Sequence, residues 1–414
     1  MADSQAIERI VIVGAGLGGL TAALALLQRG FRVTVLEQSA ELGEVGAGIQ
    51  LSANATRVLS LLGMDDVVAM LGAETTGKVI RHWSTGRTWD IYDLASDSRK
   101  KYGHPFCMFH RADLHIALEQ RVRQLDPAAI RLASRCVSVD TSGARPAAVL
   151  ENGERVEGDL VVGSDGVHSR IRAAIIGPDS ARFSGCYAWR GVIPTERLPA
   201  HLRLPLGTNW IGPGRHVVQY PLRRGELTNF VGIVEGLDWQ VESWTQQGSL
   251  KDCLANFEGW HEDVQLMIRA IDTHFKWALM VREPIQRWSV GRVTMLGDAA
   301  HPTLPFLGQG AAMALEDGYV LARALVRHRD DADRALAAYE AARVERTVRV
   351  VRGSNENAAR FHNPKLAAPE SAEKYIENEW SPDKVRQRYQ WLFEYKVDEV
   401  DIGLKEAHSG ESSG

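Results

Sequence analysis

From Ile10 to Leu27 the chain carries no charge, and within this run the apolar pattern changes period. Arg9 to Val13 (RIVIV) is a continuous β-branched run, the pattern of a strand buried on both faces. Leu20 to Gly30 is rich in alanine and leucine and predicts a helix with Gly30 as its C-cap. Phe31 to Leu36 (FRVTVL) predicts a second strand, ending at Glu37. An uncharged run of about 18 residues could instead cross a membrane. Four glycines interrupt it, however, and MADSQAIERI sets Asp3 and Glu8 against a single Arg9, unlike the positive start of a signal peptide. The run therefore reads as a buried strand and helix opening a soluble domain.

Further along, ELGEVGAGIQL is glycine-rich and too short and broken for a helix, whereas His110-Arg111-Ala112-Asp113-Leu114 opens a helical pattern to about Leu125. Val156 to Val162 ends as a strand that runs into Ser164-Asp165-Gly166. Between residues 181 and 284 aromatic residues recur, and alternating runs such as HVVQYP and NFVGIVE predict antiparallel strands in a separate sheet. After it, RVTMLGD predicts a strand, Gly310 opens a helix to about His328, and 334–361 continue as helix with alanine and arginine on alternate faces. Beyond Asn363 the helical pattern is weak, EKYIENEWSPDKVRQRYQWLFEY reads as a packing or dimer-facing helix, and the final GESSG is expected to be disordered.

Length and composition narrow the classes. A chain of 414 residues allows two or three domains. Lys plus Arg is 48 against Asp plus Glu 52, so the net charge of -4 gives no reason to expect a nucleic-acid or membrane partner. Four cysteines without a CxxC pair make a reducing cytoplasm the expected location. No HExxH or paired Cys/His set is present, so no metal is expected. The 38 glycines exceed the usual ~7% and so must serve backbone geometry.

Several of them form Gly14-Ala15-Gly16-Leu17-Gly18-Gly19, a G-x-G-x-x-G between predicted strand and helix. Gly14 permits the tight turn, Gly16 lets backbone approach a pyrophosphate, and Gly19 lets helix and strand pack closely. Phosphates would sit on the helix N-terminus, where free N–H groups and the dipole favour negative charge. Glu37 ends the second strand about 20 residues on, placed to accept from a ribose diol. The fingerprint alone does not separate FAD from NAD.

Three later motifs do. Gly163-Ser164-Asp165-Gly166-Val167-His168-Ser169-Arg170-Ile171-Arg172, then Gly297-Asp298-Ala299-Ala300-His301-Pro302, then Gly308-Gln309-Gly310-Ala311-Ala312-Met313 with Glu316-Asp317 follow in order. Together with the first fingerprint they resemble the class A flavoprotein monooxygenases, the aromatic-ring hydroxylases, over about residues 8–320. The resemblance implies an α/β fold: a Rossmann-like FAD-binding domain (1–75, 105–180 and 285–360), an inserted antiparallel-sheet substrate domain (76–104 and 181–284) and a C-terminal helical region (361–414). It implies FAD as cofactor and NADH or NADPH as a visiting electron donor, since no second G-x-G-x-x-G appears. Arg111 resembles the arginine that reaches the FAD phosphates, and Val137 the strand position whose backbone reads the adenine. Asp165 would serve a pyrophosphate-side network, and Asp298 would accept from ribityl or ribose hydroxyls. Gly310 and Ala311 would offer N–H groups to the reduced flavin, and Pro302 resembles the active-site proline beside its ring.

In Arg215-His216-Val217-Val218-Gln219-Tyr220-Pro221, alternation puts His216, Val218 and Tyr220 on one strand face. In an enzyme of this family the aromatic ring attacks the distal oxygen of a flavin C4a-hydroperoxide, and a phenolate does so more readily than a phenol. His216, with an ordinary pKa of about 6.5, suits the base, and Tyr220 suits substrate orientation or proton relay. A structural strand histidine beside a core tyrosine is the competing reading. The H-x-x-x-Y pair resembles that of hydroxylases of salicylate, 3-hydroxybenzoate and 6-hydroxynicotinate. The apolar Leu304, Pro305 and Phe306 favour a salicylate 1-monooxygenase-like reaction giving catechol, with the other two as alternatives. The implied partners are a small aromatic acid, molecular oxygen and NAD(P)H, in a monomer or homodimer. A halogenase would need W-x-W-x-I-P, where this chain has Trp189-Arg190-Gly191-Val192-Ile193-Pro194. A non-catalytic FAD sensor would show no aromatic-stimulated NAD(P)H oxidation.

Overall fold

The computed structural model describes residues 6–43, 48–93, 95–178, 181–236 and 246–403. The chain starts with strand β1 (Arg9–Val13), helix α1 (Leu17–Leu27) and strand β2 (Arg32–Leu36). The uncharged run is thus divided between a strand and a helix, and no described helix is long and apolar enough to cross a membrane. Helix α1 begins before Leu20 because Gly18 and Gly19 are part of its first turn. A Cβ on Gly18 would come within 2.8 Å of the Leu296 side chain, so tertiary packing favours glycine there despite its low helix propensity.

Next come β3 (Gly48–Leu51), α2 (Ala53–Leu61), α3 (Asp65–Leu71), β4 (Ala73–Glu74), β5 (Gly77–His82), β6 (Thr88–Asp93) and α4 (Ala95–Tyr102). They lead to β7 (Cys107–His110), α5 (Arg111–Leu125), β8 (Ile130–Arg131), β9 (Cys136–Asp140), β10 (Ala147–Leu150), β11 (Arg155–Glu157), β12 (Leu160–Gly163) and α6 (Arg170–Ile176). The single strand predicted over Val156–Val162 is therefore two, in different sheets. Strands β13 (Arg182–Pro194), β14 (Leu206–Gly212), β15 (Arg215–Leu222) and β16 (Leu227–Glu235) precede helices α7 (Leu250–Asn256) and α8 (Glu262–Ala270), then β17 (Phe275–Val281) and β18 (Val293–Met295). Four helices finish the chain: α9 (Gly310–Arg327), α10 (Ala332–Phe361), α11 (Pro369–Glu379) and α12 (Pro382–Phe393). Proline at the first helical position starts both α11 and α12, which divides the weakly helical tail in two. The terminal GESSG lies outside the described residues.

The fold is α/β. One sheet is parallel, ordered β18-β12-β1-β2-β8, and α1 packs between it and α9. Two three-stranded sheets, β11-β10-β9 and β3-β7-β4, are antiparallel. The fourth sheet has seven strands, β17-β13-β16-β15-β14-β5-β6, antiparallel except for the β14–β5 pair. One of its faces buries Trp189, Trp210, Val217 and Phe230 against Phe257, Val264 and Met267 of the α7–α8 region. Those two helices were not legible in a stretch whose dominant pattern is alternation. The opposite face, with Ile211, Tyr220 and Ile233, shares a core with Phe306, Phe361, Leu366, Trp380 and Leu392. The tail thereby closes the second face, with the Phe361 and Trp380 rings stacked at 6.0 Å.

Candidate active site

A cleft separates the glycine-rich end of the parallel sheet from this second face of the seven-stranded sheet. Gly14 follows β1 at φ 102°, and a Cβ there would lie 2.5 Å from the Ser164 carbonyl oxygen. A Cβ on Gly19 would lie 2.1 Å from the Gly14 carbonyl oxygen, so these two positions exclude larger residues by close approach. Gly16 differs: it caps the N-terminus of α1, borders the cleft and has open space where a side chain would stand. That opening beside unsatisfied helix N–H groups fits a bound pyrophosphate.

On the same wall, Arg111 starts α5, Asp298 and Pro302 follow β18, and Gly310 and Ala311 start α9, all bordering the cleft. Asp298 is accessible from the cleft yet closely surrounded by protein, and burial raises its carboxyl above the usual range, with His301 and Arg111 opposing the shift. The turn that carries it is held from behind. Asp317 Oδ2 accepts from Gly297 N at 2.9 Å and lies 2.6 Å from His301 Nε2, while Oδ1 accepts from Arg343 Nε at 2.7 Å. Glu316 joins Arg343, Arg346 and Asn54 in the same buried network. Two arginines of α10, Arg343 and Arg346, therefore face inward.

Three residues named from sequence stand apart from the cleft lining. Glu37 Oε2 accepts from Ala15 N at 2.9 Å and Oε1 from Ser39 N at 2.9 Å, so its carboxylate holds the glycine loop itself. Asp165 caps α6, accepting from Ser169 Oγ at 2.6 Å and Arg170 N at 2.6 Å, while its neighbours Ser164 and Gly166 border the cleft. Val137 sits exposed on β9.

The facing wall is built by strand register. His216, Val218 and Tyr220 share one face of β15, as the alternation predicts, and all border the cleft. Cross-strand pairing brings other residues to that face: Asn209 opposite Val218, Val218 opposite Val231, and Val231 opposite Arg190. Lys78 on β5 pairs with Gly207 of β14, and like Tyr220 it borders the cleft. Lys78 makes no ion pair with a described residue, and burial lowers its ammonium to about 8. Burial raises the Tyr220 phenol, which stays protonated and able to donate, and its hydroxyl has no partner among the described residues. His216 is held neutral, its pKa lowered well below the usual value by burial and by the neighbouring His362 and Lys78. Lys78 and Arg190 are not legible as site residues in the sequence. Their only local signal is strand alternation, and the β5–β14 pairing that aligns Lys78 spans two distant parts of the chain.

A family model described as FAD binding domain matches residues 8–354. Aligned with a 3-hydroxybenzoate 6-hydroxylase from Polaromonas naphthalenivorans, the chain is 34% identical over 402 residues, 96% of this chain and 98% of the relative. With a 3-amino-4-hydroxybenzoate 2-monooxygenase from Streptomyces platensis identity is 36% over 359 residues, covering 86% and 89%. With a 6-hydroxynicotinate 3-monooxygenase from Pseudomonas fluorescens it is 37% over 355 residues, covering 84% and 91%. Among solved structures, Klebsiella pneumoniae HpxO complexed with FAD and uric acid superposes with a TM-score of 0.80 at 25% identity, over 96% of this chain and 98% of that one. A salicylate hydroxylase substrate complex gives 0.78 at 22% identity, over 95% and 97%, a likeness of fold alone.

Proposed function

Because the chain belongs to the FAD-binding domain family of flavoprotein aromatic hydroxylases, we propose that it hydroxylates an aromatic carboxylic acid that already carries a ring hydroxyl, of the 3-hydroxybenzoate or 6-hydroxynicotinate type. The enzyme uses FAD. One observation carries the substrate reading: His216, Tyr220 and Lys78 come to one face of the sheet and border the same cleft as Gly16, Asp298 and Gly310. Gly16 and the α1 N-terminus would hold the pyrophosphate, Asp298 a sugar or ribityl hydroxyl, and Gly310 and Ala311 the flavin ring's anionic edge. When bound and reduced by NADH or NADPH, FAD supplies oxygen activation.

The chain's own residues do the rest. Lys78 is a cation in an enclosed, largely apolar wall and attracts the substrate carboxylate there more strongly than it would in water. Neutral His216 accepts the proton of the ring hydroxyl, which makes the ring electron-rich, and Tyr220 donates a hydrogen bond that orients it. Pro302, Leu304 and Phe306 exclude water from the reacting face.

The salicylate reading drawn from Leu304, Pro305 and Phe306 gives way. Leu304 and Phe306 belong to the core that packs on α10, where Ser354 Oγ donates to the Leu304 carbonyl at 2.6 Å and Asn357 to that of Phe306. Their apolarity thus has a packing cause. The relatives named for 3-hydroxybenzoate and 6-hydroxynicotinate are 34% and 37% identical over 96% and 84% of this chain, whereas the salicylate enzyme shares the fold.

NADH and NADPH oxidation measured against 3-hydroxybenzoate, 6-hydroxynicotinate, salicylate and benzoate tests the reading. A meta-hydroxybenzoate or hydroxynicotinate should stimulate strongly and benzoate should not. Equal stimulation by benzoate, or none by any hydroxylated acid, would refute it.

A further inference from the structure

His216 has a hydrogen-bond partner behind the cleft wall. Its Nδ1 lies 2.6 Å from Nε2 of His362, the residue that caps α10. His362 Nδ1 in turn lies 2.8 Å from Oε1 of Glu235, the last residue of β16. The His362 side chain is 1% exposed and that of Glu235 is 53% exposed, so the three groups lead from the cleft to the surface. The rings of Phe306 and Phe361 lie 5.4 and 4.9 Å from that of His216, which closes off water around it.

For two neutral imidazoles, counting hydrogens sets the tautomers. Glu235 is held ionised, its carboxyl lowered by the His362 hydrogen bond, and a carboxylate only accepts. His362 must therefore donate from Nδ1, which leaves its Nε2 bare. That nitrogen can only accept, so His216 donates from Nδ1. The remaining His216 nitrogen, Nε2, is then unprotonated and has no hydrogen-bond partner among the described residues.

We propose that His216, His362 and Glu235 form a proton relay that carries the ring-hydroxyl proton of a bound substrate from the cleft to solvent. The origin of that proton rests on the hydroxylase reading above. As the substrate O–H bond breaks, its electron pair stays on the aryl oxygen and the proton joins His216 Nε2. The Nδ1 proton of His216 passes to His362 Nε2, and the Nδ1 proton of His362 passes to Glu235, which releases it to water. One proton enters and one leaves, so neither imidazole retains a charge. A lone imidazolium at His216 would face Lys78 in an apolar setting, which is why a direct one-step base is disfavoured there. Returning one proton along the path restores both tautomers when the product oxyanion is reprotonated.

Two measurements on the FAD-loaded enzyme decide this. Nitrogen-15 NMR of labelled histidines should show His216 protonated at Nδ1 and bare at Nε2, whether or not any acid is turned over. Mixing with 3-hydroxybenzoate in weakly buffered indicator dye reads proton release. Relative to flavin reduction, release should slow by roughly 10²-fold in His362→Gln. It should slow by less in the surface variant Glu235→Gln, because water can then meet His362. Release at the wild-type ratio in both variants, or His216 bare at Nδ1 in the wild type, would overturn the relay. Failure to hydroxylate 3-hydroxybenzoate would count against the activity assigned above, and the tautomer spectrum would still decide the relay.

Discussion

His301 Nε2 lies 2.6 Å from Asp317 Oδ2, and both side chains are buried. Through that carboxylate the turn bearing Asp298 and Pro302 is fixed to α9 and, by Arg343, to α10. Removing one partner of such a buried set leaves uncompensated charge and costs about 3–5 kcal/mol. Asp317→Ala should therefore lose stability of that order in denaturant unfolding and release FAD on gel filtration. A change within about 1 kcal/mol with FAD retained would show the network to be dispensable.

The same carboxylate shapes acid stability. Burial alone would raise its pKa, but His301, Arg343 and the Gly297 N–H together hold it at about 2, below the ordinary aspartate value of 3.8. A depressed folded pKa contributes stability that is fully present above the unfolded value and is lost as pH falls from about 3.8 through about 2. Its contribution is on the order of 2 kcal/mol. Unfolding free energies at pH 5, 3 and 2 should fall more steeply for the wild type than for Asp317→Asn, and parallel slopes would contradict this.

Lys78 predicts a binding profile at alkaline pH. Burial lowers its pKa to about 8, so it is cationic below that value and neutral above it. The Kd for 3-hydroxybenzoate, read from flavin absorbance, should hold steady below pH 7 and rise as pH passes about 8. Lys78→Met should weaken binding by roughly tenfold or more and abolish this rise. A variant that keeps the wild-type profile would remove Lys78 from carboxylate recognition.

Gly16 and Gly19 should fail differently. Gly16 has room for a side chain in the protein itself, so Gly16→Val should fold and melt near the FAD-free wild type yet purify colourless. Gly19→Ala would force a Cβ to 2.1 Å from the Gly14 carbonyl oxygen, and the fold itself should lose stability, by about 1–3 kcal/mol. A yellow Gly16→Val protein would refute the pyrophosphate position.

These contrasts mark what the sequence could and could not reveal. The glycine fingerprint and the Gly297–Pro302 and Gly308–Met313 motifs are contiguous, because each is a single turn of backbone at an element end that borders the cleft. The face of β15 was legible from alternation alone. Lys78 and Arg190 were not, because only the pairing of β5 with β14 and of β13 with β16 brings them to that face. Glu316 and Asp317 could be located within a motif, but their partners Arg343 and Arg346 lie on another helix. Leu304 and Phe306 misled for a related reason: an apolar residue beside a cleft can be there for the core behind it.

The central claim is that one atom of molecular oxygen enters a hydroxylated aromatic acid in this cleft. Turnover under ¹⁸O₂ with NADH or NADPH and the best acid of the panel, followed by mass spectrometry, measures that directly. One ¹⁸O is expected in the ring product, at near one product per nicotinamide oxidised. Nicotinamide oxidation that yields only hydrogen peroxide, or a product whose new oxygen comes from water, would contradict it.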